Sequence, residues 1–190
     1  VQAGLEARGQ PAWTGDTLYV PTAGVGSRAI TVNPALRAPL VALNLATGEE
    51  RWRVETDNYI LRVPFVDGES QTVYVGGARL SDVEIDEGGA QRIYALSSED
   101  GEVKWTYDSL DGLTKSIWAG SETVVFAAYQ DFLAGIDSRS GQEVWRENSG
   151  NWVQSFAPLP LTGTSAKPAI AYGSATGFLN LVDPVDGSDV

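Results

Sequence analysis

One unit recurs four times along the chain. It reads VALNLATGEERW (41–52), YALSSEDGEVKW (94–105), AGIDSRSGQEVW (134–145) and NLVDPVDGSDV (180–190). The anchoring glycines, Gly48, Gly101, Gly141 and Gly187, are 53, 40 and 46 residues apart. In the first three copies a Trp follows four residues later, as Trp52, Trp105 and Trp145, and the fourth copy reaches Val190 one position earlier. A repeat of this period means that each copy is one supersecondary unit, which buries its apolar face only against its neighbours.

Each copy carries a hairpin signal: two short apolar runs around a polar turn, with Gly where the backbone needs positive φ. Upstream of each hairpin lie two more short runs. These are LEARGQPAW (5–13) and TLYVPTA (17–23), then ILRVPFV (60–66) and TVYVGGA (72–78). LTKSIWA (113–119) and TVVFAAY (123–129) follow, then WVQSFAPL (152–159) and PAIAYGS (168–174). Helical periodicity is absent, and Gly and Pro punctuate the whole chain. Four antiparallel strands per unit predict an all-β fold, a β-propeller with about four blades, spanning approximately 4–55, 58–108, 112–148 and 151–190. The Trp residues are expected to wedge between adjacent blades, since Trp carries the largest apolar area.

Composition excludes several functions. The 190 residues contain no Cys, and among 25 acidic and 13 basic side chains there is no His. Disulfide frameworks, zinc fingers and Ser-His-Asp triads are therefore excluded within this chain. A net charge of −12 argues against nucleic acid or an anionic membrane surface as partner. Apolar runs are too short for a membrane-spanning helix. The chain begins at Val1, contains no Met, and stops inside a repeat, which predicts a fragment of a larger ring. The alternative closure is a homodimer, because an open ring leaves apolar blade faces uncovered.

The repeat pattern, as in LNLATGEERW, LSSEDGEVKW and IDSRSGQEVW, resembles the pyrroloquinoline-quinone (PQQ) enzyme repeat. The resemblance covers essentially the whole chain. It implies a propeller of about seven or eight blades. Relatives of this type include quinoprotein dehydrogenases, the scaffold lipoprotein of the outer-membrane β-barrel assembly machine, and sensor domains. The dehydrogenases pair an adjacent Cys pair with the cofactor, and this chain has no Cys.

Antiparallel geometry sorts the connections. The fourth-to-first and second-to-third connections share one edge of each unit. The first-to-second and third-to-fourth turns share the other. The former edge carries the long loops 24–38 and 78–90, and long irregular loops on a rigid scaffold collect function. On it Tyr59 and Trp152 each stand seven residues after a repeat Trp and follow Asn58 and Asn151. They are candidate partner-binding residues, with plugging of the loop bases as the alternative. Ten residues after successive Trp residues come Arg62, Lys115 and Ser155, with Thr114 and Gln154 beside the last two. On an innermost strand Arg62 and Lys115 would form an anion site able to take a polycarboxylate such as PQQ, the alternative being solvated channel lining. Asp82, Glu84 and Asp86 alternate in the run 81–87 and could offer oxygen ligands to calcium, although such a run is more often a solvated face.

These features predict a non-catalytic binding or scaffold propeller of the cell envelope, extracytoplasmic, with a protein partner and no cofactor. The alternatives are a fragment of a PQQ- and calcium-dependent quinoprotein dehydrogenase, or a ligand-sensing domain of a larger receptor.

Overall fold

Short apolar runs with β-branched and aromatic residues, separated by Gly- and Asp-containing turns, can satisfy their backbone only by pairing with each other. They do so throughout the computed structural model, which describes residues 6–7, 9–23, 37–79, 91–109, 114–120, 122–128, 132–150, 153–160, 168–175 and 177–190. The chain divides into two compact units, Val1–Leu113 and Thr114–Val190. All the described elements are strands.

The first unit is one nine-stranded sheet in two parts, the first and second sheets, that a single pair links. In the first sheet β1 (Glu6–Ala7) and β2 (Ala12–Thr14) both pair with β3 (Thr17–Ala23), which continues to β4 (Pro39–Asn44) and β5 (Glu50–Glu55). The run 5–13 is thus two strands rather than one. Gly9, at φ 100°, and Pro11 interrupt it, and Pro has no N–H to donate to the ladder. The second sheet runs β6 (Asn58–Asp67), β7 (Thr72–Arg79), β8 (Gln91–Ser97) and β9 (Val103–Ser109). A single pair, Ala23 with Ile60, joins the two sheets.

The second unit holds β10 (Thr114–Ala119), β11 (Thr123–Ala128), β12 (Phe132–Asp137) and β13 (Glu143–Asn148) as the third sheet. The fourth sheet has three strands, β14 (Val153–Pro160), β15 (Pro168–Ser174) and β16 (Leu179–Val182). Beyond its turn only an isolated bridge, Val182 to Asp189, marks the place of a fourth strand.

In both units the core lies between sheets. Tyr19, Leu40 and Trp52 of the first sheet pack with Leu61, Val73, Val75, Tyr94 and Leu96 of the second. Val125, Leu133 and Trp145 of the third pack with Val153, Ile170, Tyr172 and Val182 of the fourth. A buried Trp contributes roughly 4–6 kcal/mol at the usual area coefficient.

The repeat Gly and Trp act as one joint. The Gly101 position, at φ +80°, lies so close to the preceding sheet that a Cβ there would stand 2.9 Å from the Trp52 ring and 2.7 Å from Val54. Trp52 Nε1 donates to the Ser98 carbonyl in the same turn at 3.2 Å. The second unit repeats this: a Cβ on Gly187 would meet the Trp145 ring at 2.7 Å, and Trp145 Nε1 donates to the Pro184 carbonyl at 2.9 Å. Glycine is therefore required twice over, for its left-handed backbone and for the missing Cβ.

Each Trp is aimed by a β-bulge. The pairing shifts register just past Ala42–Trp52, Ala95–Trp105 and Gly135–Trp145, which leaves Arg51, Lys104 and Val144 as the extra residues. A cross-strand row accompanies it. Tyr19, Ala42 and Trp52 stand side by side on neighbouring strands, and so do Tyr74, Ala95 and Trp105. The small central residue lets the rings meet at 5.7 Å between centroids in both rows. The third row reads Val125, Gly135, Trp145, and a Cβ on Gly135 would fall 2.1 Å from Trp145 Nε1.

Candidate functional site

The turns tie one edge of each sheet. Asn44 Oδ1 accepts from the Ala46 and Thr47 amides at 2.9 and 3.0 Å, and Asp137 Oδ1 accepts from Arg139 and Ser140 at 3.1 and 2.7 Å. The next residue bonds across to the first-to-second turn of the same sheet: Leu45 N to Asp16 O, Ser98 N to Gln71 O, Ser138 N to Glu122 O, at 2.8–3.0 Å. Lys104 Nζ adds bonds to the Ser70 and Gln71 carbonyls at 3.0 and 3.1 Å, beside Gln71 at φ 51°. With Gly48, Gly101, Gly141 and Gly187 all between φ 73° and 80°, this edge is regular and internally saturated.

The opposite edge of the first unit carries a connected ion-pair network. In the first unit Asp57, in the turn from β5 to β6, lies between Arg37 and Arg92. Arg37 Nη1 donates to Asp57 Oδ1 at 2.8 Å, and Arg92 Nη1 donates to Oδ2. Arg92 also grips Asp108 through two nitrogens, with the Nη2 bond at 2.6 Å. That fork raises the Arg92 pKa further above an already high value and keeps it a cation. Beneath it the Asp57 amide donates to Tyr94 Oη at 2.7 Å. The four charges form one partly exposed ion-pair platform, with Arg37 and Arg92 adjoining the two long loops in sequence.

Asn58 stands inside this edge. It is fully buried, its Nδ2 donates to the Arg92 carbonyl at 2.9 Å, and its Oδ1 has no partner. It supports the platform from below and presents no surface of its own. Tyr59 falls at the register shift between Asn58 and Ile60, inside β6 rather than in the preceding turn. Asn151, Trp152, Asp82, Glu84 and Asp86 lie outside the described residues, as do loop residues 24–36 and 80–90.

The spacing that aligned Arg62 with Lys115 is altered by bulges. Arg62 is exposed and opposite Gly76. At the matching level Ser116 pairs with Ala127, and Ser155 with Gly173. Lys115 falls at the register shift between Thr114 and Ser116, as Gln154 does between Val153 and Ser155. By register within its own sheet, the counterpart of Arg62 is Ser116 in the third sheet and Ser155 in the fourth, while the counterpart of Leu61 is the buried Thr114 and then Val153. A one-residue bulge is invisible to a count from the Trp.

The Arg92 platform was missed by motif reading, yet a signal for it exists. Arg92 and Asp108 are direct partners across the β8–β9 hairpin, at positions set by the turn around Gly101. Among the described residues no group of three Asp or Glu side chains converges on a metal position.

Repeated antiparallel sheets, paired within each unit by a Trp packed on a turn glycine, define a β-propeller of the PQQ-repeat class. The family model described as outer membrane protein assembly factor BamB matches residues 1–156, and the chain belongs to this family. Its fold is similar to that of BamB from Moraxella catarrhalis, at TM-score 0.61 and 17% identity over 95% of this chain and 46% of that one. It is similar also to a quinohemoprotein alcohol dehydrogenase of Pseudomonas putida, at TM-score 0.65 and 14% identity over 97% of this chain and 34% of that one. In sequence it is 24% identical over 187 residues to the quinate/shikimate dehydrogenase (quinone) of Acinetobacter baylyi, covering 90% of this chain and 21% of that protein. The chain thus spans less than half the length of these relatives.

Proposed function

We propose that the chain is part of a non-catalytic binding propeller, a scaffold that engages a protein partner in the cell envelope. The match to the outer membrane assembly factor family over residues 1–156 carries this reading. The edge bearing the long loops is the proposed contact surface. In the first unit the Arg37–Asp57–Arg92–Asp108 platform supplies charge of both signs and Tyr59 an aromatic anchor, and in the second unit Trp152, with Asn151 beside it in sequence, is the equivalent anchor. Preorganised charge of both signs favours orientation and specificity over raw affinity. The lack of His and Cys in the chain accords with recognition rather than acid–base or thiol chemistry.

A second reading is favoured by the 24% identity to a quinone-dependent dehydrogenase. In that reading these sheets are one part of the wall around a quinone, and the chemistry is supplied from elsewhere in the ring.

Photocrosslinking in envelope preparations tests the scaffold reading. Full-length protein carrying a crosslinker at position 59 or 152 is expected to capture one defined envelope protein. A crosslinker at position 47 or 140, on the saturated turn edge, is expected to capture none. Equal labelling from both edges, or labelling from the turn edge alone, contradicts the proposed surface.

A further inference from the structure

The two units build their inter-sheet seams from different chemistry. Glu147 stands two residues after Trp145, as Val54 stands two after Trp52. Tyr172 stands two residues after Ile170, which pairs with Val182, as Val75 stands two after Val73, which pairs with Leu96. Leu96 and Val182 match because each precedes a turn residue whose amide closes the repeat hairpin, Ser97 to Glu102 O and Asp183 to Ser188 O, both at 2.8 Å. Val54 and Val75 belong to one apolar cluster. At the same level of the second unit an acid faces a phenol: Tyr172 Oη donates to Glu147 Oε1 at 2.8 Å.

That carboxyl is poorly served as an anion. Its Oε2 is buried without a partner among the described residues. β12 contributes Leu133 opposite it, and β14, β15 and β16 carry no Asp, Glu, Lys or Arg. On its own strand Arg146 is committed to Glu143, at 2.8 Å, and to the Phe132 ring, 4.2 Å from its centroid. The other charge acting on Glu147 is Asp189, which has the same sign. We propose that Glu147 and Tyr172 form a proton-operated latch between the third and fourth sheets, tight when Glu147 is protonated and loosened when it is ionised.

Burial raises the Glu147 pKa, Asp189 raises it further, and the Tyr172 bond only partly offsets them. Tyr172 is itself raised, by burial and by Glu147, and stays a phenol throughout the relevant range. A raised folded-state pKa makes the folded chain bind its proton more tightly than the unfolded chain. Seam stability is then highest below the ordinary Glu range and falls as pH rises through the folded value.

Two measurements on the full chain test this. NMR titration of the Glu147 side-chain carboxyl, assigned by its absence in Glu147→Gln, is expected to show a midpoint above the ordinary Glu value. Amide exchange, corrected for its intrinsic pH dependence, is expected to show protection in β13 and β15 falling from mildly acid to neutral pH, and Glu147→Gln is expected to abolish the fall. The readout is the pH dependence, so a static cost of the Gln amide leaves it interpretable. A Glu147 midpoint at or below the ordinary Glu value, or an identical fall in wild type and variant, overturns the latch.

Discussion

Single residues in this fold carry two duties, and the repeat glycine shows it best. Gly48 and Gly101 occupy the same place in the motif, with φ +73° and +80°. Nothing lies within 4 Å of a Cβ at Gly48, whereas one at Gly101 would strike Trp52 and Val54. Gly48→Ala should therefore cost only the left-handed backbone strain, about 1 kcal/mol. Gly101→Ala adds overpacking against a buried ring, for a total of about 2–4 kcal/mol. Denaturant unfolding of the two variants checks this, and equal losses would show that the Trp does not need the missing Cβ. The need for positive φ was legible from the Gly-containing turn itself. The approach of the Trp was not, because its partner glycine lies about one repeat further along the chain.

At the scale of elements, the strands were legible and their registers were not. Thr17–Ala23 and Pro168–Ser174 coincide with the runs read from alternating apolar residues and turn signals, because both are bounded by turn-forming or loop residues. Register depends on bulges, which add one residue without a compositional mark, and this separates Lys115 from the level of Arg62. The third-to-fourth turns depend on ionised side chains. The Ser140 hydroxyl, then the Ser140 and Arg139 amides, hold the Asp137 carboxyl below the ordinary Asp range, and the Glu102 amide and the Ser97 side chain do the same for Asp100. A lowered folded-state pKa gives stability that is present above the ordinary Asp value and is lost as pH falls through the lowered one. Asp137→Asn, which keeps the acceptor oxygen and removes the titration, should flatten the loss of thermal stability below about pH 4. Identical acid limbs for variant and wild type would exclude Asp137 from that loss.

At the scale of the molecule, the fold followed from the recurring Gly and Trp, while the binding edge did not. Its charges lie far apart in sequence and meet only when strands pair: Arg37 precedes β4 and Asp57 follows β5 of the first sheet, while Arg92 and Asp108 lie on β8 and β9 of the second. The long loops 24–38 and 78–90 lack the repeat pattern, so sequence periodicity says nothing about their shape. The central claim is that this propeller binds a protein rather than a quinone. Titration of purified full-length protein with PQQ in the presence of calcium, followed by absorbance and calorimetry, tests it most directly. The account predicts no saturable uptake. Stoichiometric, calcium-dependent binding would contradict it and establish the dehydrogenase reading.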